Sequence, residues 1–232
     1  MKPAKSLLAR TLLKVVLATG FGFASLSALS APVVPEYDVA RGKAIVEANC
    51  AACHGANGVS VAPAQPNLGG QNVKYLYKQL VDFKNKARRN GIMEAQLVGL
   101  TQQDLADVAG YFSEQKPWMP GYGNKATFAE AQKLYLGGDK TRGIIPCAGC
   151  HDPKGSGNEW AAFPRLGGQH ATYIATQLKL FRAAGREDDV GETEMRTNDA
   201  AKKGEKGMMQ MVASKLSDRD IKILSEFITA VH

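Results

Sequence analysis

All four cysteines of this 232-residue chain lie in two copies of one five-residue pattern, Cys-x-x-Cys-His. Cys50, Cys53 and His54 make it in "NCAACHG", and Cys147, Cys150 and His151 make it again in "PCAGCHD". Cysteines three positions apart are poor structural staples, because a disulfide between them closes too short a loop to restrain the unfolded chain much. Whatever these groups hold is held twice.

The doubling extends well beyond the cysteines. Cys50 falls on Cys147 at an offset of 97, and "QPNLGGQNVKYLYKQLVDF" (65–83) falls on "FPRLGGQHATYIATQLKLF" (163–181) at an offset of 98. Pro66, Leu68, Gly69, Gly70, Gln71, Tyr75, Gln79, Leu80 and Phe83 recur as Pro164, Leu166, Gly167, Gly168, Gln169, Tyr173, Gln177, Leu178 and Phe181. Between the copies, "SEQKPWMPGYGNK" carries the prolines and glycines that interrupt helices. The expected organisation is a domain over 31–112, a linker over 113–125 and a second domain over 126–232.

Each domain reads as all-α. Val73, Leu76, Leu80 and Phe83 recur at helical spacing, as do Leu105, Val108, Ala109 and Phe112, and Ile221, Leu224, Ile228 and Val231. Thr101-x-x-Asp104 and Ser217-x-x-Asp220 are capping-box patterns opening the last helix of each domain. Three or four short helices in about a hundred residues bury limited apolar surface, so each domain needs a further source of core.

Residues 1–30 read as an export signal. Lys2, Lys5, Arg10 and Lys14 precede the uncharged run "VVLATGFGFASLSALS", and Ala28 and Ser30 suit cleavage before Ala31. The alternative is an uncleaved membrane anchor; either way the rest of the chain is exported. Of 29 basic and 22 acidic residues the leader removes four basic ones, so 25 face 22 in the remainder. "KARR" (86–89) and "KKGEK" (202–206) are short and isolated, which excludes nucleic acid as a partner.

Three chemistries compete for Cys-x-x-Cys-His. A zinc site needs four ligands, usually from two pairs close in sequence. A thioredoxin-like motif needs a βαβ setting, which this chain does not provide. Covalent haem c attachment needs two thiols and a neighbouring histidine on one helical turn, and it suits an exported chain. The expected cofactors are therefore two haem c groups. Each also supplies the apolar core that the short helices lack.

His54 and His151 are the expected proximal ligands. Met93 lies eleven residues before Asp104 and Met209 eleven before Asp220, which makes them the register-matched candidates for the opposite faces. Met208, Met211 and Met195 are the competitors in the second domain, while His170 is disfavoured because its counterpart is Asn72. His/Met ligation leaves an iron no open position and raises its potential, which suits electron transfer. Pro66 and Pro164 either offer a carbonyl to the outer nitrogen of each histidine or belong only to a turn.

Together these residues resemble the cytochrome c4 family of dihaem cytochromes c. The likeness runs from "CAACHG" and "QPNLGGQNVKYLYKQL" through Met93 and "LADVAGYF" to "CAGCH", "FPRLGGQHATYIATQL", "GMM" and "LSDRDIKILSEFI". It implies two tandem class I cytochrome c domains related by a pseudo-twofold, with the haem edges facing across the interface. It also implies a periplasmic electron carrier rather than an enzyme, in many members peripherally associated with the membrane. The implied donor is a quinol-oxidising complex or dehydrogenase, and the acceptor a haem–copper terminal oxidase or other reductase. The alternative is a dihaem subunit of a redox enzyme such as a flavocytochrome c sulfide dehydrogenase. A dihaem peroxidase, which needs an open iron, is a third option. One departure is "RAAGREDDVGETEMRTNDAAKKGEKG", which makes the second domain longer and reads as a solvated loop or a partner-recognition segment.

Overall fold

The computed structural model describes residues 33–119, 121–191, 195–200 and 204–231. The leader, its cleavage point before Ala31, and His232 lie outside the described residues. Among the described residues ten helices occur in two sets of five: α1 (Val39–Asn49), α2 (Ala51–His54), α3 (Val73–Lys84), α4 (Gly91–Gln96) and α5 (Gln102–Glu114), then α6 (Phe128–Gly137), α7 (Ala148–His151), α8 (Ala171–Arg186), α9 (Met208–Ala213) and α10 (Asp218–Ile228). Among the described residues β-structure is limited to two isolated bridges, Asp139 with Ile144 and Asn158 with Phe163. Five helices per domain exceed the three or four expected. The cysteine motifs (α2, α7) and the methionine segments (α4, α9) form helices of four and six residues, too short to show periodicity.

Each set closes over its own core. Val46, Leu76, Leu105, Val108 and Phe112 gather in the first, and Tyr135, Ile174, Ile221, Leu224 and Phe227 in the second. Burying one such side chain contributes about 1.5–3 kcal/mol. The terminal helices start where the capping pattern says: Thr101 and Asp104, and likewise Ser217 and Asp220, exchange side-chain and backbone bonds in both directions. In the first domain α1 crosses α5 at very close range, since a Cβ on Gly42 would stand 2.1 Å from Asp107 O. Helix α5 continues through residues 113 and 114, two positions into the expected linker. The linker is anchored further on, for Trp118 is only 3 % exposed.

Candidate functional site

The cysteine motifs are set by local geometry. Helix α1 ends as Cys50 N–H donates to Val46 O at 2.9 Å, and the next turn carries Cys53 and His54. Gly55 then leaves the helix at φ +74°, where an added Cβ would stand 2.3 Å from Val59 O. In the second copy the same exit, φ +71°, is made by Asp152. Its carboxylate compensates by accepting from Lys154 N–H at 2.8 Å and Ser156 Oγ at 2.7 Å, a local side-chain turn that tolerates this backbone.

His54 and His151 are each 7 % exposed. His54 Nδ1 lies 3.0 Å from Pro66 O, and His151 Nδ1 lies 3.0 Å from Pro164 O. A carbonyl oxygen can only accept, so both Nδ1 atoms carry protons and both Nε2 atoms keep the lone pair. Burial lowers the basicity of both rings, and the carbonyl bond only partly opposes it. The imidazoles are thus neutral and oriented, as a metal ligand must be. Of the two roles open to Pro66 and Pro164, the carbonyl partner is the one observed.

All four cysteines are free, and burial pushes the Cys50 and Cys147 thiols up to about 11. Protonated thiols three apart beside a neutral imidazole fit addition to two vinyl groups of one porphyrin. No cluster of three or more His, Cys, Asp or Glu side chains suited to a metal ion occurs among the described residues.

Met93 and Met209 are half-buried and pack against the first and second cores respectively. Met208 and Met211 are exposed. Met93 and Met209 both sit in the first turn of a short helix whose start is held by a side chain, whereas Met195 is half-buried but outside any helix. Asn90 Oδ1 accepts from Met93 N–H at 3.0 Å, and Asp199 Oδ2 accepts from Met209 N–H at 2.6 Å. Gly207, at the N-cap of α9, has no side chain for this task, so Asp199 reaches in from the preceding loop.

The two domains interlock reciprocally. Gln71 Oε1 accepts from Arg165 N–H at 2.7 Å while its Nε2 donates to Arg165 O at 2.9 Å. Gln169 does the same to Asn67, at 2.9 and 3.0 Å. Both pairs are related by the repeat offset of 98, as an isologous interface requires. Beside them Arg88 donates to Gln79 and Gln177 at 2.9 Å each and to Tyr173 OH at 3.1 Å. Arg196 answers with Gln177 at 2.9 Å, Gln79 at 2.7 Å and Tyr75 OH at 3.3 Å. His170, disfavoured as a ligand, spans the interface through Nε2 to Ser60 O at 3.0 Å.

The extra segment of the second domain is therefore not simply a solvated loop. Glu187 to Gly191 are exposed, but Arg196 is 6 % exposed, and Asn198 donates to Asp82 Oδ2 at 2.6 Å in the first domain. Acceptors supplied by α3 draw these polar groups inward, and a reading of charge alone misses them. Gln71 and Gln169 were visible in the repeated Gly-Gly-Gln, and Arg88 in "KARR". Neither pattern by itself revealed a cross-domain role.

Comparison with known proteins agrees with this arrangement. The cytochrome c family model matches twice, at residues 39–136 and 128–232. Cytochrome c4 of Pseudomonas aeruginosa is 43 % identical over 195 residues, covering 84 % of this chain and 89 % of that protein. The crystal structure of reduced recombinant cytochrome c4 from Pseudomonas stutzeri superposes with a TM-score of 0.75 at 41 % identity, covering 85 % of this chain and 100 % of that one. A thiosulfate dehydrogenase electron acceptor of Thiomonas intermedia is 32 % identical, covering 79 % of this chain and 78 % of that protein.

Proposed function

Since the chain belongs to the cytochrome c4 family, we propose that it is a periplasmic shuttle for single electrons, loaded by a quinol-oxidising complex or dehydrogenase and unloaded by a haem–copper terminal oxidase or other reductase. Its cofactors are two covalently bound haem c groups, at Cys50 and Cys53 and at Cys147 and Cys150. When bound, each haem supplies one iron that alternates between Fe(III) and Fe(II).

His54 and Met93 would hold one haem iron, and His151 and Met209 the other. The buried, Nδ1-protonated histidines support the first member of each pair. The half-buried methionines on held helix starts support the second, and the exposure of Met208 argues against that neighbour. A thioether opposite an imidazole raises the potential and leaves no position for oxygen or peroxide. The role is then to carry electrons, with no substrate chemistry.

The observation that carries the reading is the reciprocal lock between the two motif-bearing domains. It joins the two domains in one body, and with both haems bound it would let an electron enter at one domain and leave from the other without dissociation. Rapid-mixing experiments test this. The oxidised holoprotein should be reduced by a solubilised quinol-oxidising complex, and the reduced protein should be oxidised by a haem–copper oxidase, both at rates that rise with partner concentration. Failure of both reactions overturns the proposed route.

A second reading draws on the thiosulfate dehydrogenase electron acceptor among the relatives. The donor would then be a dehydrogenase acting on an inorganic sulfur compound, with this chain as its acceptor. A catalytic subunit that co-purifies with the native protein in fixed stoichiometry would favour this reading over the shuttle, and a flavin on that subunit would identify the flavocytochrome variant.

A further inference from the structure

Each motif histidine is connected through a single peptide group to a glutamine of the other domain. His151 Nδ1–H donates to Pro164 O at 3.0 Å. The N–H of that same peptide plane belongs to Arg165, and it donates to Gln71 Oε1 at 2.7 Å. The mirror path runs from His54 Nδ1–H to Pro66 O at 3.0 Å and from Asn67 N–H to Gln169 Oε1 at 2.9 Å. Gln71 is 4 % exposed and Gln169 3 %, so water does not readily substitute for either.

We propose that Gln71 and Gln169 are cross-domain positioning residues that set the donor strength of the opposite domain's histidine, Gln71 acting on His151 and Gln169 on His54. This rests on the axial-ligand reading given above. The orientation of each amide is forced by its neighbours. Gln71 Oε1 also accepts from Asn72 N–H at 2.9 Å, and Gln169 Oε1 from His170 N–H at 3.1 Å. Backbone N–H groups only donate, so both amide oxygens must face them.

Hydrogen bonds in a chain polarise one another, by about 10–30 % per bond. A peptide whose N–H is engaged has a more negative carbonyl oxygen. That oxygen draws harder on the histidine Nδ1 proton and makes Nε2 a stronger donor, the same effect by which outer partners raise the basicity of metal-bound histidines. A stronger nitrogen donor favours Fe(III). Each glutamine therefore lowers the potential of an iron in the domain to which it does not belong. If the glutamines only fastened the domains together, losing one would loosen a symmetric interface and affect both irons alike.

The test uses the holoprotein with Gln71→Leu or Gln169→Leu, titrated potentiometrically, with each step assigned to its domain by NMR. Gln71→Leu should raise the C-terminal step alone, by about twofold in equilibrium constant, or about 18 mV at 59 mV per tenfold for one electron. It should also move the His151 Nδ1–H resonance of the reduced protein upfield. Gln169→Leu should do the same to the N-terminal step and to His54. Gln71→Glu keeps and strengthens the acceptor, covers the case in which the leucine variants do not fold, and should move the His151 resonance downfield. Steps that move together, a shift confined to the domain bearing the substitution, or an unmoved ring proton would each overturn the proposal. Failure of the axial reading shows separately, as an Fe–S(Met) charge-transfer band indifferent to replacement of Met93 and Met209.

Discussion

Arg196 stands in the second domain where Arg88 stands in the first. Each guanidinium lies 4.4 Å from a phenylalanine ring centroid, Phe181 and Phe83 respectively, and both donate to Gln79 Oε1 and Gln177 Oε1. The two arginines are 108 positions apart, yet Phe83 and Phe181 are 98 apart. The longer segment of the second domain thus restores the symmetry that its own length breaks.

Replacing Arg196 should loosen the domain interface. Arg196→Ala removes charged donors from Gln177, Gln79 and Tyr75, and hydrogen bonds to charged groups are worth about 1.5–3 kcal/mol. Urea unfolding of the holoprotein should show a loss of that size. Arg196→Lys should not restore it, because an ammonium on a flexible stem cannot reproduce the planar fork.

Tyr75 should ionise below the ordinary tyrosine range. Burial alone would raise its pKa, but the Arg196 and Arg88 charges and the bond from Arg196 outweigh burial and hold it down. A depressed pKa means the stabilisation is fully present above the unfolded value of about 10 and is lost as pH falls through the folded one. An ultraviolet tyrosinate titration should show a phase below pH 10 that disappears in Tyr75→Phe.

Asp107 should make the first domain sensitive to acid. Burial pushes this carboxyl up, but bonds from Asp38 N–H (2.9 Å), Gln103 (2.9 Å) and Arg41 hold it below the usual range. Its stabilisation is complete above the unfolded carboxylate value of about 3.9 and fades as pH drops through the depressed one. Asp107→Asn should cost about 1.5–3 kcal/mol at neutral pH. The variant should also show a flatter decline in melting temperature below pH 4.

The methionine assignment predicts separable losses. Met93→Ala and Met209→Ala should each abolish half of the Fe–S charge-transfer absorbance and lower one redox step, while Met208→Leu leaves the spectrum intact. Asp199→Ala removes the acceptor that holds Met209 N–H. It should cost about 1 kcal/mol, and thermal loss of the second domain's Fe–S band should come earlier than in the parent protein.

Helices α3, α5 and α10, both capping boxes and the two motif turns were legible because their determinants lie within a few residues. Thr101 meets Asp104, Cys50 meets His54, and Leu105, Val108 and Phe112 share a face at helical spacing. Asp199 was not legible as the partner of Met209, since the two stand ten positions apart and no periodicity carries the signal. The segment around Arg196 was misread for a related reason. A charged stretch is solvated unless acceptors arrive from elsewhere, and here they arrive from α3 of the other domain.

By itself the sequence determined the number of cofactors, their points of attachment and the duplicated helical plan, because covalent motifs and amphipathic spacing are local properties of a chain. Tertiary structure alone decided which atoms meet across the interface: Gln71 with Arg165, Gln169 with Asn67, Arg88 with Gln177 and Arg196 with Gln79. Those partners lie 89 to 117 residues apart, and pairing at such separations depends on which buried donors face which acceptors once both domains have closed.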